Sequence, residues 1–166
     1  MIFVCKVASL QELNEKWEYE IARHTKVKEN RIVWKQSSSE WYKQGYIIPY
    51  YGIFDGDIIC EATVMVHPKV VQNSAGLVDG HTVYLSAFRT IDKFKGKGYF
   101  LKLFHFMLDD LRNMEYTKAT VGAEPTEKKN KEIYAHYGFT EYIKSCKECY
   151  PNGAVINVDY YGKLLK

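Results

Sequence analysis

The sequence contains no long apolar segment. Its 166 residues include no run of about 18 apolar residues, which is roughly the length that a membrane-spanning helix requires. The apolar run within residues 1–7 is also too short for the core of a signal peptide. We therefore expect a cytoplasmic protein that makes no contact with a membrane.

An excess of charge of one sign is also missing, because 23 Lys and Arg residues against 20 Asp and Glu residues give a net charge of only +3. This balance does not favour nucleic acid as a partner. Basic residues are locally denser between positions 23 and 43, where Trp34 and Trp41 also lie; they are Arg23, Lys26, Lys28, Arg31, Lys35 and Lys43. Such a segment is typical of a solvated helix face or of the wall of a ligand site, and both interpretations stay open.

Cysteine is too sparse for a tetrahedral zinc site. Of four cysteines, only Cys146 and Cys149 form a Cys-x-x-Cys pair, and no second pair or nearby His-x-x-x-His sequence supplies further ligands. The turn sequence Pro151-Asn152-Gly153 follows this pair, whereas a redox motif of this type opens a helix after a strand. We predict reduced, structural thiols and no metal.

The exact nucleotide-binding motifs are absent, but a glycine-containing loop precedes a predicted helix. No Gly-x-Gly-x-x-Gly and no Gly-x-x-x-x-Gly-Lys-Ser/Thr sequence occurs. The segment 95–100, Lys-Gly-Lys-Gly-Tyr-Phe, nevertheless lies between a strand-like run at 82–91 and an amphipathic helix over 99–114. Glycine allows close approach to a ligand, and the N–H groups of a first helical turn favour phosphate. A plain turn and a phosphate loop both fit this segment.

The remaining pattern predicts a single α/β domain over residues 1–166. Its elements follow in the order strand, two helices, three strands, helix, strand, helix and two strands. Ser9 and Glu12 form a capping box before the first helix, and Asp55-Gly56 predicts a hairpin. The later elements are predicted at 118–123, 126–137, 139–144 and 154–163. This order indicates a mixed sheet with one parallel crossover through the helix over 99–114.

Two segments carry a family resemblance. Residues 95–100 are similar to the phosphate loop of the GNAT superfamily of N-acetyltransferases, Gln/Arg-x-x-Gly-x-Gly/Ala, with Lys95 in place of Gln or Arg and Phe100 in place of a small residue. Residues 133–139, with Tyr134 ahead of Gly-Phe, resemble the end of that family's next helix. The resemblance covers nearly the whole chain and implies a GNAT-like acyl-CoA N-acyltransferase fold with about seven mixed strands and four helices.

The resemblance implies an enzyme that transfers an acetyl group from acetyl-CoA to a primary amine of a small molecule or a peptide. The coenzyme would contact the loop residues Lys95, Gly96, Lys97, Gly98, Tyr99 and Phe100. It would also contact Glu127, which stands where the family commonly has Asn. The pantetheine arm lies in a gap between the fourth and fifth strands of the family, so Phe88, Arg89 and Thr90 would offer backbone partners and a donor for the thioester carbonyl. A shift in apolar alternation at Phe88 is typical of a β-bulge. The Phe100 ring has to turn into the core if pyrophosphate is to lie across the loop.

Acetyl transfer to an amine also needs an acid and a base. The resemblance implies that Tyr134 is the general acid that protonates the leaving thiolate. The base stays open among Glu61, Asp79, His81 and Glu124, of which we name Glu61 and Glu124 as candidates.

Alternatives to this function, and the identity of its partners, also stay open. The departures at Lys95, Phe100 and Glu127 are compatible with a non-catalytic acyl-CoA-binding sensor or regulatory module. If the basic, Trp-rich segment 23–43 forms the acceptor wall, as the resemblance implies, it disfavours polyamines and favours an acidic or aromatic acceptor. A second copy of the chain is left open as a partner.

Overall fold

A computed structural model describes residues 1–23 and 28–165 of the chain, so Lys26 of the basic segment lies outside the described residues. The strands are β1 (Phe3–Val7), β2 (Ile47–Phe54), β3 (Asp57–Met65), β4 (Thr82–Thr90), β5 (Lys118–Ala123), β6 (Glu141–Cys149) and β7 (Val155–Leu164). They form one sheet in the order β1-β2-β3-β4-β5-β7-β6. Neighbouring strands are antiparallel except β4 and β5, which are parallel, and this confirms the predicted mixed sheet with its single crossover.

The helices are α1 (Leu10–Arg23), α2 (Lys28–Lys43), α3 (Tyr99–Asn113) and α4 (Lys128–His136), with 3-10 turns at Pro68–Val70 and Asp92–Phe94. The predicted element order and α/β fold class are thereby confirmed. Among the described residues, no helix is both long enough and apolar enough to cross a membrane.

The helices cover the two faces of the sheet. Neighbouring residues of a strand point to opposite faces, so Tyr50 packs in the core beneath α3, whereas Tyr51 packs in the core beneath α1 and α2. The apolar face of α3 is fully buried through Leu103, Phe104, Met107, Leu108 and Leu111. Burial of each such side chain stabilises the fold by about 1.5–3 kcal/mol, which fixes α3 against β1, β2 and β3.

Local signals in the sequence account for two element boundaries. The N–H of Ser9 donates to the Glu12 carboxylate at 2.9 Å, and the N–H of Glu12 donates to Ser9 Oγ at 3.1 Å, which confirms the capping box. Asp55 and Gly56 have φ values of +47° and +90°, the left-handed conformations that a tight hairpin turn requires.

The prediction for β6 was wrong in both its start and its end. Gly138, with φ of +96°, ends α4, and the buried Phe139 fills the core before the strand begins. The pairing of β6 with β7 then continues to Cys149, well beyond the predicted end at 144. Cys146 and Cys149 therefore lie inside one strand, where residues three apart point to opposite faces.

Candidate functional site

β4 and β5 separate toward their C-terminal ends. Their parallel pairing covers Thr82–Leu85 and Lys118–Val121 and ends there. The rest of β4 pairs with β3 on one side, and the rest of β5 pairs with β7 on the other. The opening between them, which we call the fork, leaves the backbone edge of β4 free over the predicted partners Phe88, Arg89 and Thr90.

A β-bulge in β4 lies at this fork. Two successive pairs, Glu61 with Arg89 and Thr63 with Ser86, are two residues apart on β3 but three apart on β4. The extra length is taken up at Ala87, whose φ of +57° costs a residue with a Cβ about 1–2 kcal/mol. The bulge predicted from the apolar alternation of this strand is therefore confirmed.

A cavity of about 230 Å³ occupies the fork. The ionisable groups on its wall are Tyr84, Glu124, Glu127, Tyr134, Glu148 and Tyr150. No Lys, Arg or His belongs to this wall within the part of the chain that the structure describes. The wall of the fork cavity thus carries carboxylates and phenols without a compensating cation.

Tyr134, the predicted acid, lies on the wall of the fork cavity. Its ring packs edge-on against Phe88 and Phe139, with ring centroids 5.6 and 6.5 Å away. Its hydroxyl hydrogen-bonds to no described residue, so it is available to a ligand. Burial, and then the negative charge of Glu127, raise the pKa of this phenol. A phenol that stays protonated at neutral pH is suited to donate a proton.

Glu124 shares the wall with two other carboxylates. Burial raises its pKa, and so do the charge and hydrogen bond of Glu127 and the charge of Glu148. Asn130 donates to Glu127 at 2.5 Å, and the hydroxyl of Tyr160 donates to Glu148 at 2.6 Å. A carboxylate with a raised pKa is a stronger base than an ordinary glutamate, which is the property that deprotonation of an amine requires.

Tyr84, Glu148 and Tyr150 are candidates that the sequence did not identify. A Cβ at Gly122 would lie 2.7 Å from the Tyr84 hydroxyl, so glycine in β5 leaves the room for this phenol. Alternation along β6 puts Glu148 on the same face as residues 144 and 146. A prediction that extended β6 beyond residue 144 would have placed Glu148 on this face of the strand.

The loop before α3 has an open backbone. Gly96 and Gly98 have φ values of +73° and +82°, and Gly98 is the N-cap of α3. A Cβ at either position would meet no protein atom within 4 Å, so the glycines expose the loop rather than relieve internal crowding. Lys95 forms an exposed ion pair with Asp92 at 2.8 Å, and Lys97 is also exposed. This geometry leaves the first-turn N–H groups of α3 available to an anion.

The aromatic residues that follow the loop turn toward the core. The Phe100 ring centroid lies 5.5 Å from that of Phe88 and 5.8 Å from that of Tyr137. The Tyr99 ring packs 4.8 Å from Phe3. The Phe100 ring is therefore turned into the core, which is what a pyrophosphate lying across the loop requires.

Glu61 and the Arg89 side chain lie at a different place. They line a cavity of about 500 Å³ beside α1, which we call the α1 cavity. Glu61 pairs with Lys16 at 3.0 Å, and Arg89 pairs with Glu20. Burial raises the pKa of Glu61 even though Lys16 opposes this shift. The structure does not bring Glu61 together with Tyr134, because Glu61 is held in a buried ion pair, and the Arg89 guanidinium is engaged by α1.

Two weaker candidates for the base also lie outside the fork cavity. Asp79 and His81 precede β4 at the end opposite the fork, and the N–H of His81 donates to Asp79 at 2.8 Å. They stay close to each other and away from Tyr134.

The described basic residues between 28 and 43 do not line the fork cavity. Lys35 of α2 instead pairs with Glu18 of α1 at 3.1 Å. The contact of α2 with the fork is aromatic, because Trp34 packs edge-on against Tyr150 with 5.5 Å between ring centroids.

The sequence matches no protein-family model and no curated protein. The fold, by contrast, is similar to solved structures of proteins assigned as acetyltransferases. One from Staphylococcus epidermidis has a TM-score of 0.73 and 11% identity over 99% of this chain and 100% of its own. A GNAT-family protein from Desulfovibrio desulfuricans has a TM-score of 0.70 and 12% identity over 99% and 100%. One from Salmonella typhimurium, solved with its cofactor acetyl-CoA, has a TM-score of 0.64 and 14% identity over 100% and 95%.

The chain has the fold of the GNAT N-acetyltransferases.

Proposed function

We propose that this protein is an N-acetyltransferase that transfers the acetyl group of acetyl-CoA to a primary amine at the fork. The observation that carries this proposal is the shared wall of the fork cavity, where Tyr134 and Glu124 meet between the separating ends of β4 and β5. An acid and a base on one wall of a cavity are what aminolysis of a thioester requires.

The cosubstrate fits two features of the chain. The open backbone at Gly96 and Gly98 leads into α3, whose N–H groups and dipole favour a pyrophosphate. The free edge of β4 offers N–H and C=O groups to the amides of an extended pantetheine arm. The resemblance of the Salmonella typhimurium protein, solved with acetyl-CoA, supports the same ligand.

The chemistry assigns one proton transfer to each of two side chains. Glu124, directly or through water, accepts the proton of the acceptor ammonium, and the neutral nitrogen forms a bond to the acetyl carbon. The attacking nitrogen releases its second proton to water, the carbon–sulfur bond breaks, and Tyr134 gives its phenolic proton to the leaving thiolate. A backbone N–H at the bulge is suited to stabilise the transient oxyanion. The raised pKa values of both side chains match these roles.

Thiol release from acetyl-CoA with a panel of amines tests this proposal. We expect Tyr134→Phe to lower kcat by about 10²–10⁴-fold while the shift in Tm caused by coenzyme A is preserved. Tyr142→Phe is the matched control, because this exposed tyrosine of β6 lies outside the fork cavity. Unchanged turnover in Tyr134→Phe would exclude this residue as the acid.

A non-catalytic acyl-CoA-binding module remains the alternative. Phe100 no longer supports this alternative, because its ring packs against Phe88 and Tyr137 rather than across the loop. Glu127 still supports this alternative because it differs from the Asn common in the family. A clear thermal shift with coenzyme A, together with no thiol release for any amine, would favour the module.

A further inference from the structure

We propose that the acceptor is a small alkylamine with a second positive charge, and that Glu148 binds this second charge and so determines specificity. This inference rests on the proposed function and names the class of substrate for the same site. It replaces the acidic acceptor that the basic segment 23–43 favours in the sequence.

The first argument is the charge of the wall. Glu124, Glu127 and Glu148 line the fork cavity, and no basic side chain lines it among the described residues. Glu148 is one of these carboxylates, and among the described residues no cation lies beside it on the cavity wall. A cationic ligand supplies the missing charge, whereas a carboxylate-bearing ligand meets repulsion.

The second argument is a phenol that faces the cavity. The Tyr84 side chain is partly buried, and burial together with the charge of Glu148 raises the pKa of its hydroxyl. That hydroxyl lies on the wall of the fork cavity and hydrogen-bonds to no described residue. An ammonium group beside Glu148 would donate to this oxygen.

The third argument is that Glu148 is held in place before any ligand arrives. It accepts from the Tyr160 hydroxyl at 2.6 Å, and Tyr160 in turn accepts from the side chain of Asn73 at 3.3 Å. One residue further on, the side chain of Gln72 hydrogen-bonds to both backbone groups of Cys149 at 2.9 Å. A carboxylate fixed in this way loses little conformational freedom when it binds a cation.

The chemistry of the step explains why the second charge matters. The nitrogen that attacks the thioester must be neutral at that moment, so its own charge cannot hold the substrate in the cavity. A second ammonium keeps its proton throughout and stays bound to Glu148. The aromatic faces of Tyr84 and Tyr150 add a favourable environment for such a cation.

Three amines of equal chain length test the inference by thiol release from acetyl-CoA: butane-1,4-diamine, butylamine and 4-aminobutyrate. They share four carbons and differ in the group at the far end, which is an ammonium, a methyl group or a carboxylate. We expect kcat/KM to fall about tenfold from the diamine to butylamine, and again to 4-aminobutyrate, as charge complementarity is lost. Glu148→Gln should lower kcat/KM for the diamine about tenfold more than for butylamine, so that the preference for the diamine is lost. Glu132→Gln, on the exposed side of α4, is the matched control.

Binding measured without turnover provides a second readout. Calorimetric titration of butane-1,4-diamine into protein saturated with coenzyme A should give a Kd about tenfold weaker in Glu148→Gln than in the native protein. Equal kcat/KM for the three amines, or a preference for 4-aminobutyrate, would overturn the inference and leave the acetyltransferase function intact. A protein that coenzyme A does not stabilise, and that acetylates no amine, would overturn both.

Discussion

The two cavities of the molecule differ in whether the charged side chains on their walls are paired. The α1 cavity is the larger, at about 500 Å³ against about 230 Å³, and its wall includes four basic and five acidic side chains. Its buried charges are paired, Lys16 with Glu61 and Arg89 with Glu20. Among the described residues, the wall of the fork cavity has carboxylates and no cation. Unbalanced charge therefore favours the fork as the ligand site, whereas paired charge favours a structural role for the α1 cavity.

The largest effect is expected from breaking the charge balance of the α1 cavity. Lys16→Met leaves the buried Glu61 without its cation, which should cost about 3–5 kcal/mol of unfolding free energy. Thermal or urea denaturation measures this loss. The double variant with Glu61→Leu should recover most of it, because an apolar pair needs no desolvation of charge. If the single variant is as stable as the native protein, the ion pair does not support the fold.

An exposed pair provides the control for that comparison. Lys35 and Glu18 join α2 to α1, but the Glu18 side chain is 65% exposed. Solvent screens such a pair, so Lys35→Met should change the unfolding free energy by less than about 1 kcal/mol.

Glycine-to-alanine changes in the two cavities should separate stability from activity. A Cβ at Gly122 would lie 2.7 Å from the Tyr84 hydroxyl and 2.8 Å from a Val158 methyl. Gly122→Ala should therefore cost about 1–3 kcal/mol and also reduce amine acetylation, because it crowds the fork.

Gly56 in the wall of the α1 cavity is the matched position. Its φ is +90°, and a Cβ at this position would meet no protein atom within 4 Å. Gly56→Ala should therefore lower the unfolding free energy by about 1–2 kcal/mol through backbone strain alone. Turnover should then be preserved. Equal loss of activity in the two variants would mean that thiol release follows stability rather than the shape of the fork.

The sequence predicted the fold and placed Tyr134 in the candidate site, and the reason is physical. Helix periodicity, the capping box at Ser9 and the turn at Asp55-Gly56 are local signals, and each was confirmed. Tyr134 came from a local motif. Glu148 reaches the fork cavity only because β6 is long and pairs with β7, which is a tertiary property. The pairing of Glu61 with Lys16 likewise joins a strand to a helix 45 positions away.

The smallest expected effect concerns repulsion within the fork cavity. A carboxyl whose pKa is raised by folding, as that of Glu124 is, binds protons more tightly in the folded state, so stability falls as the pH rises above its ordinary value of 4.5. Glu127→Gln removes one cause of the shift and still offers an acceptor to Asn130. We expect this variant to raise Tm by about 1–2 °C at pH 8 and not at pH 4, where the raised pKa of Glu124 keeps this carboxyl protonated in either protein. Scanning calorimetry at the two values measures the difference, with Glu132→Gln on the same helix as the control. If the higher Tm persists at pH 4, the stabilisation comes from packing and not from reduced charge repulsion. The fork cavity would then lack the uncompensated charge that distinguishes it from the α1 cavity.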